Sequence, residues 1–207
     1  MNNLILIRHG QSIWNLERRF TGWADVDLTD HGKSEAKYAG QLIKKLNIEF
    51  DVYFTSVQIR AIDTLEIILD ILNKKNSEIK KAWELNERHY GALTGLNKDE
   101  MMKKLGKKQV HIFRRSWNVP PPTMKKTHPN HPSKNKTYIN IPTDKMPDSE
   151  SLKNTFERVM PYYKKNIKPL LSSNKNILIA AHGNSLRALC KKLLNISNKK
   201  IIDFEIP

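Results

Sequence analysis

Cysteine is almost absent from this 207-residue chain. The one thiol, Cys190, lies in the helical-looking run SLRALCKKLL, so neither an intramolecular disulfide nor a thiolate metal cluster can form, and a packed, inert thiol is expected. Long apolar runs are missing as well. None approaches the roughly 20 residues of a membrane span, and the N-terminus has neither the cationic region nor the extended apolar stretch of a secretory signal. A cytoplasmic protein with no membrane partner is expected. Acidic residues are scarce, 21 against 36 lysines and arginines, giving a formal net charge of +15. That excess calls for anionic partners, and nucleic acid, a membrane surface and small phosphorylated metabolites all qualify. The lysines pair up on predicted helix faces as Lys44–Lys45, Lys103–Lys104 and Lys191–Lys192, where they read as solvated surface, so charge alone does not choose among these. No base-stacking aromatic motif accompanies it, which argues against nucleic acid.

What is present is enough apolar residue, 39% of the chain, to bury a core in one domain spanning 1–207. Leu4–Ile7, Asp51–Thr55 and Asn176–Ala181 read as strands. The first and third are short and continuously apolar, the pattern of strands covered on both faces. Between them Ala36, Ala39, Leu42, Ile43 and Leu46 recur at helical spacing, as do Ile59, Ile62, Leu65, Ile68, Leu69 and Leu72, then Leu186, Leu189 and Leu193. Strands separated by helices imply an α/β fold, three layers αβα with a mostly parallel central sheet. The stretch 118–147 holds seven of the ten prolines and reads as a long loop or lid.

Two turns echo each other: IRHGQS near the start and AAHGNS near the end each place His-Gly after an apolar strand and before a helix. In open α/β sheets ligands bind beyond the carboxyl ends of strands, where helix N-termini offer free N–H groups to anions. Glycine permits a sharp turn and close backbone approach there, and Ser12 and Ser185 are expected N-caps. One His-Gly alone is weak evidence, a lone histidine after a strand being more often structural; two on one sheet edge, one fused to Arg8, point to a shared site built from His9 and His182.

A neutral imidazole is a nucleophile near neutral pH, and phosphoryl transfer then needs charge stabilisation around the equatorial oxygens. Arg8 is adjacent, and Arg60 opens the helix after the second strand; by itself Arg60 reads equally well as a surface residue. Glu84 and Glu87, in ELNERHYGALTG, are candidate proton carriers, with Glu87 the better placed beside Arg88 and the Tyr90–Gly91 turn. Lys98 and the Arg114–Arg115 pair could clamp a distal anion, although each taken singly fits a surface position. His128 and His131, flanked by prolines in HPNHP without nearby carboxylates, read as loop rather than metal ligands; no metal is expected.

LIRHGQSIWN, FTGWADVDLTDHG, FTSVQIRAIDT, LNERHYGALTGLNK, RRSWNVPPP, PDSESL and ILIAAHGNSLRAL together resemble the 2,3-bisphosphoglycerate-dependent phosphoglycerate mutases of the histidine phosphatase superfamily, in the right order along essentially the whole chain. RHG marks only the superfamily; LNERHYGALTG and RRSWNVPPP are specific to the mutases. The resemblance implies that His9 is a phosphohistidine nucleophile and Glu87 the proton donor and acceptor. It implies that Arg8, Arg60 and His182 surround the phosphoryl group, with Asn15 assisting. The rest of the first turn, Gly10, Gln11, Ser12, Ile13 and Trp14, would line the substrate, and Thr21, Gly22, Arg88, His89, Tyr90, Lys98, Arg114, Arg115, Gly183 and Asn184 would bind its remainder. The implied reaction is the isomerase-class interconversion of 3-phosphoglycerate and 2-phosphoglycerate in glycolysis and gluconeogenesis, primed by 2,3-bisphosphoglycerate, with the proline-rich stretch as a cover over the site. A homo-oligomer, dimer or tetramer, stays open. A histidine phosphatase of small phosphorylated metabolites is the alternative, using His9 in the same way but passing the phosphoryl group to water. Two departures stand out. The sequence stops at FEIP where relatives continue into another strand and tail, so a missing C-terminal strand is expected; and Trp117-Asn118 replaces an aromatic-Asp pair.

Overall fold

The computed structural model describes residues 2–207. Along the chain run β1 (Leu4–Arg8), α1 (Ile13–Leu16), α2 (Asp30–Lys44), β2 (Val52–Thr55), α3 (Ile59–Ile71), β3 (Ile79–Lys81), α4 (Lys98–Leu105), α5 (Lys107–Arg115), α6 (Leu152–Tyr162), α7 (Lys168–Ser172), β4 (Ile177–Ala181) and α8 (Gly183–Leu193). The strands form one parallel sheet in the order β1-β4-β2-β3. β4 is wholly buried because it is central, and its alternate residues serve opposite faces. Leu178 and Ala180 pack with Ile43, Leu65, Ile68 and Leu69 of α2 and α3. Ile177, Ile179 and Ala181 pack with Val159, Leu186 and Leu189 of α6 and α8. Helices therefore cover both faces, the expected three-layer α/β arrangement. Truncating a fully buried residue such as Leu178 to alanine costs about 2–5 kcal/mol.

The expected strands are present within a residue or two, but β3 was not anticipated. Its three residues, IKK, include two exposed lysines at the sheet edge, so no apolar run marks it; charge on an edge strand discourages pairing with other chains. Ser12 caps α1 as expected. Ser185 does not cap α8: His182 holds that position, and Ser185, three residues on, accepts from the His182 N–H at 3.2 Å. The start of α3 lacks a cap from its own Gln58; Asp25 Oδ1 accepts from the Ile59 N–H at 2.7 Å instead, a carboxylate placed at the positive end of the helix dipole.

The proline-rich stretch is a chain of short 3-10 turns rather than regular structure. It is anchored by burial of Tyr138 and Ile141 against Trp23. His131 is buried there, 2.9 Å from Asp148 and 2.7 Å from Ser133. Among the described residues, no group of three or more His, Cys, Asp or Glu side chains is placed to hold a metal ion, and no helix is long and apolar enough to cross a membrane.

Candidate active site

β1 and β4 end side by side, with Arg8 paired to Ala181. The residue after each strand is a histidine, so the two imidazoles meet with ring centroids 4.9 Å apart at 61°. His9 Nδ1 lies 2.7 Å from the Gly10 carbonyl oxygen. A carbonyl only accepts, so Nδ1 carries the proton and Nε2 keeps its lone pair. Arg60 Nε donates to that Nε2 at 3.3 Å. Burial, then the Arg60 charge, with a smaller effect from Arg8, holds the His9 pKa well below the ordinary imidazole value against the opposing Gly10 hydrogen bond. His9 is therefore a neutral base near pH 7, aimed at Arg60.

His182 is also lowered, by burial first and then by Arg60 and His9. Its Nε2 lies 2.7 Å from Ser56 Oγ, while Nδ1 is buried with no partner. Arg60 is almost completely buried, its other nitrogens donating to Ala24 O at 2.9 Å and Gly22 O at 2.8 Å. A side chain held at so many points presents a fixed charge, which suits a group meant to meet an anion without reorganising.

Glu87 lines the same cavity. Its Oε1 accepts from Arg88 N (2.7 Å), Asn184 N (3.2 Å) and Asn184 Nδ2 (2.8 Å). Behind it, Arg88 is fully buried and donates to Phe113 O and Arg114 O at 2.9 and 2.6 Å. Those are orphan carbonyls at the end of α5, so Arg88 anchors the turn bearing Arg114 and Arg115. Burial pushes the Tyr90 phenol up, but the Arg88 guanidinium, 4.9 Å from its ring, and Arg114 outweigh this and leave the pKa below its ordinary value. Burial, then Arg114, lowers Lys98, with Tyr90 opposing.

These groups enclose one cavity of 230 Å³, lined by Arg8, His9, Asn15, Thr21, Gly22, Arg60, Glu87, Tyr90, Lys98, Arg114, Arg115, Gly183 and Asn184. Residues 4–207 match the family model described as histidine phosphatase superfamily (branch 1). The chain belongs to that superfamily. Relatives within it include 2,3-bisphosphoglycerate-dependent phosphoglycerate mutases from Pelagibacter ubique, 55% identical, Erythrobacter litoralis, 53%, and a Hydrogenobaculum species, 51%. Each match covers all of this chain and, in that order, 87%, 90% and 84% of the relative. Among solved structures the fold is similar to that of a mycobacterial glucosyl-3-phosphoglycerate phosphatase (TM-score 0.70, 18% identity, 97% of this chain and 82% of that one). It is also similar to mycobacterial hydrolase 1 (TM-score 0.71, 19% identity, 97% and 84%). At those identities the likeness speaks for the superfamily fold alone.

Eight of the residues anticipated from sequence do not line this cavity. His182 sits behind His9. Gly10 and Gln11 line a neighbouring 540 Å³ cavity that shares Arg8, His9 and Asn15. Ser12 is spent on its cap, Ile13 is 40% exposed, and the Trp14 ring lies against Gly95. Arg88 and His89 are buried beneath the site; His89 Nδ1 accepts from the Gly91 N–H, and burial takes its pKa down to about 3. Conversely, Arg187, Glu205 and Ile206 line the cavity unanticipated. Arg187 stands one helical turn after Asn184 and donates to its Oδ1 at 3.0 Å, a spacing that could have revealed it. Nothing local marks Glu205, which pairs with Arg115 at 3.2 Å. No residue of 118–147 lines the cavity; the stretch reaches it through Tyr138, bonded to Gln58 and to Trp23 O.

Proposed function

We infer that this member of the histidine phosphatase superfamily is a 2,3-bisphosphoglycerate-dependent phosphoglycerate mutase, interconverting 3-phosphoglycerate and 2-phosphoglycerate in glycolysis and gluconeogenesis. Identity above 50% to curated mutases over all 207 residues of this chain supports the assignment. The geometric observation that carries it is one small cavity lined by six cations, Arg8, Arg60, Lys98, Arg114, Arg115 and Arg187, together with His9 and the carboxylate of Glu87. At 230 Å³ it is smaller than the roughly 300–1,000 Å³ pockets of drug-sized ligands, and a three-carbon acid with two anionic groups needs charge balance at both ends.

In the reaction, the Glu87 carboxylate takes the proton of the substrate hydroxyl as that oxygen attacks phosphorus on His9, breaking the N–P bond and forming a bisphosphorylated intermediate. After the intermediate turns, His9 Nε2 attacks the other phosphorus. The P–O ester bond breaks, and Glu87 returns the proton to the leaving oxygen, so the histidine ends phosphorylated again. Arg8, Arg60 and Asn15 hold the phosphoryl oxygens. His182, its ring packed edge-on against His9 and its Nε2 2.7 Å from Ser56 Oγ, completes the surround of the same group. Lys98, Tyr90, Arg114, Arg115, Thr21, Gly22, Gly183 and Asn184 hold the remainder, with 2,3-bisphosphoglycerate supplying the first phosphoryl group. A cytoplasmic location follows from such substrates.

The test is 3-phosphoglycerate conversion in the presence of a chelator, with and without 2,3-bisphosphoglycerate. Conversion that depends on the primer and releases little inorganic phosphate is expected. Phosphate release without isomerisation would replace this reading with a phosphatase.

A further inference from the structure

Gln58 is fully buried at the start of α3, in a position whose usual task its side chain does not perform. A primary amide has two lone pairs and two N–H donors, and here all four are used. Its Oε1 accepts from Glu87 N at 2.9 Å and from an Arg60 terminal nitrogen at 3.2 Å. Its Nε2 donates to Gly22 O at 3.0 Å and to the Tyr138 hydroxyl at 3.1 Å. The orientation is fixed by chemistry, since a flipped amide would set its N–H groups against two donors.

We propose that Gln58 is a positioning residue that holds the proton carrier Glu87 in register with the phosphoryl-binding Arg60. The inference rests on the mutase reading above. The main chain of Glu87 is gripped on both sides: its carbonyl accepts from Trp23 Nε1 at 2.6 Å and Arg158 at 3.3 Å, and its N–H is held by Gln58. One amide oxygen thereby spans the two halves of the chemistry, and the same side chain ties them to the loop at Gly22 and to Tyr138 of the proline-rich stretch. Proton transfer and in-line attack tolerate little displacement, so loosening this link should slow turnover while leaving the cationic ligands of the substrate in place.

The experiment is a double-mutant cycle between Gln58→Met, similar in length but without hydrogen bonds, and Glu87→Gln, using 3-phosphoglycerate conversion and single-turnover phosphoenzyme formation, with thermal melts of each variant. Q58M is expected to lower kcat by about tenfold to a hundredfold with little change in KM. In the E87Q background the same change should alter the rate by less than about twofold, because there is no proton carrier left to misplace. An unchanged kcat, or an equal loss in both backgrounds, would overturn the proposal. Should Q58M fail to fold, Tyr138→Phe, which removes one of the four Gln58 bonds without adding charge, takes its place: a loss of kcat that disappears in the E87Q background supports the role, and an unchanged kcat or an equal loss in both backgrounds refutes it. Wild type run alongside separates the two levels. A wild-type protein without primer-dependent conversion strikes the function, whereas an active wild type with an indifferent Q58M strikes only Gln58.

Discussion

Asn184 delivers two N–H groups to one oxygen of Glu87, from its main chain at 3.2 Å and its side chain at 2.8 Å. With Arg88 N as a third donor, Oε1 is saturated and Oε2 alone is left for proton exchange. Asn184 is fixed in turn by Arg187, so the oxygen of Glu87 left open to the proposed proton transfer is selected by a chain of hydrogen bonds running out along α8.

Glu87→Gln should therefore lower kcat by about 10²–10⁴-fold while substrate affinity changes little, since the amide still accepts at Oε1 but cannot carry the proton. Steady-state kinetics with 3-phosphoglycerate and isothermal binding of the same compound measure the two effects separately. An unchanged rate would move the acid–base role to another group.

His9→Ala should abolish both phosphoenzyme formation and turnover. In the native protein, phosphoenzyme formation from 2,3-bisphosphoglycerate should not fall as pH drops through the ordinary imidazole range on account of His9, because burial and Arg60 hold its folded pKa well below that range and the lone pair stays available. Rapid-quench trapping of the phosphoenzyme across pH checks this; a midpoint near 6.5 assigned to His9 would contradict it.

The two His-Gly turns, alike in sequence, should respond oppositely to alanine. A Cβ on Gly10 would meet Gly32 O at 2.2 Å, backbone against backbone. One on Gly183 would meet only Glu87 Oε2 at 3.8 Å and Arg8 Nε at 3.9 Å, ordinary contact. Gly10→Ala is expected to cost about 1–3 kcal/mol and to displace His9 with loss of activity. Gly183→Ala should keep wild-type stability in urea titration. Equal stabilities would show that the first turn relaxes freely.

This pair also shows where the sequence was legible and where it was not. His9, Arg60, Glu87, Lys98, Arg114 and Arg115, singled out from motif order, line one cavity, and for the two histidine turns the reason was readable, since strand–turn–helix units on a parallel sheet put such turns at one edge. The tight packing of Gly10 on Gly32 was half legible: the need for close approach could be read, the partner could not. Residues whose role is to hold others, such as Ser56 and Gln58, carry no signal of their own, since a buried amide is read as a surface one until its neighbours are known. β3 escaped for the complementary reason, its lysines reading as loop.

Buried imidazoles should make stability acid-sensitive. His9, His89 and His182 all have folded pKa values below the unfolded value of about 6.5, with burial the main cause and His89 at about 3. Below pH 6.5 or so the unfolded chain binds protons that the folded one refuses, so unfolding free energy is at its full value above that pH and falls as pH drops. The slope is about 1.4 kcal/mol per pH unit for each such imidazole. Thermal melts in phosphate-free buffer should show this decline, and His89→Asn, whose amide oxygen can still accept the Gly91 N–H, should flatten it by one imidazole's share.

Arg158 and Glu150 form a bidentate pair, 2.8 and 2.9 Å, with both side chains nearly inaccessible to water. The remaining Arg158 donors hold the carbonyls of Trp83, Glu84, Asn86 and Glu87, while Glu150 Oε2 accepts from His89 N at 2.9 Å. The pair thus pins the loop that ends in Glu87, the proposed proton carrier. Arg158→Met leaves a buried carboxylate without its cation and takes from the Glu84 and Asn86 carbonyls their donor, whereas Trp83 O keeps Asn86 N and Glu87 O keeps Trp23 Nε1; removing one partner of such a pair costs about 3–5 kcal/mol. The double variant Arg158→Met with Glu150→Gln removes the uncompensated charge while keeping an acceptor for His89 N, so it should be more stable than R158M alone. Urea midpoints at constant m-value measure the difference. A double variant no more stable than the single would mean that the loss lies in the abandoned carbonyls rather than in the stranded charge.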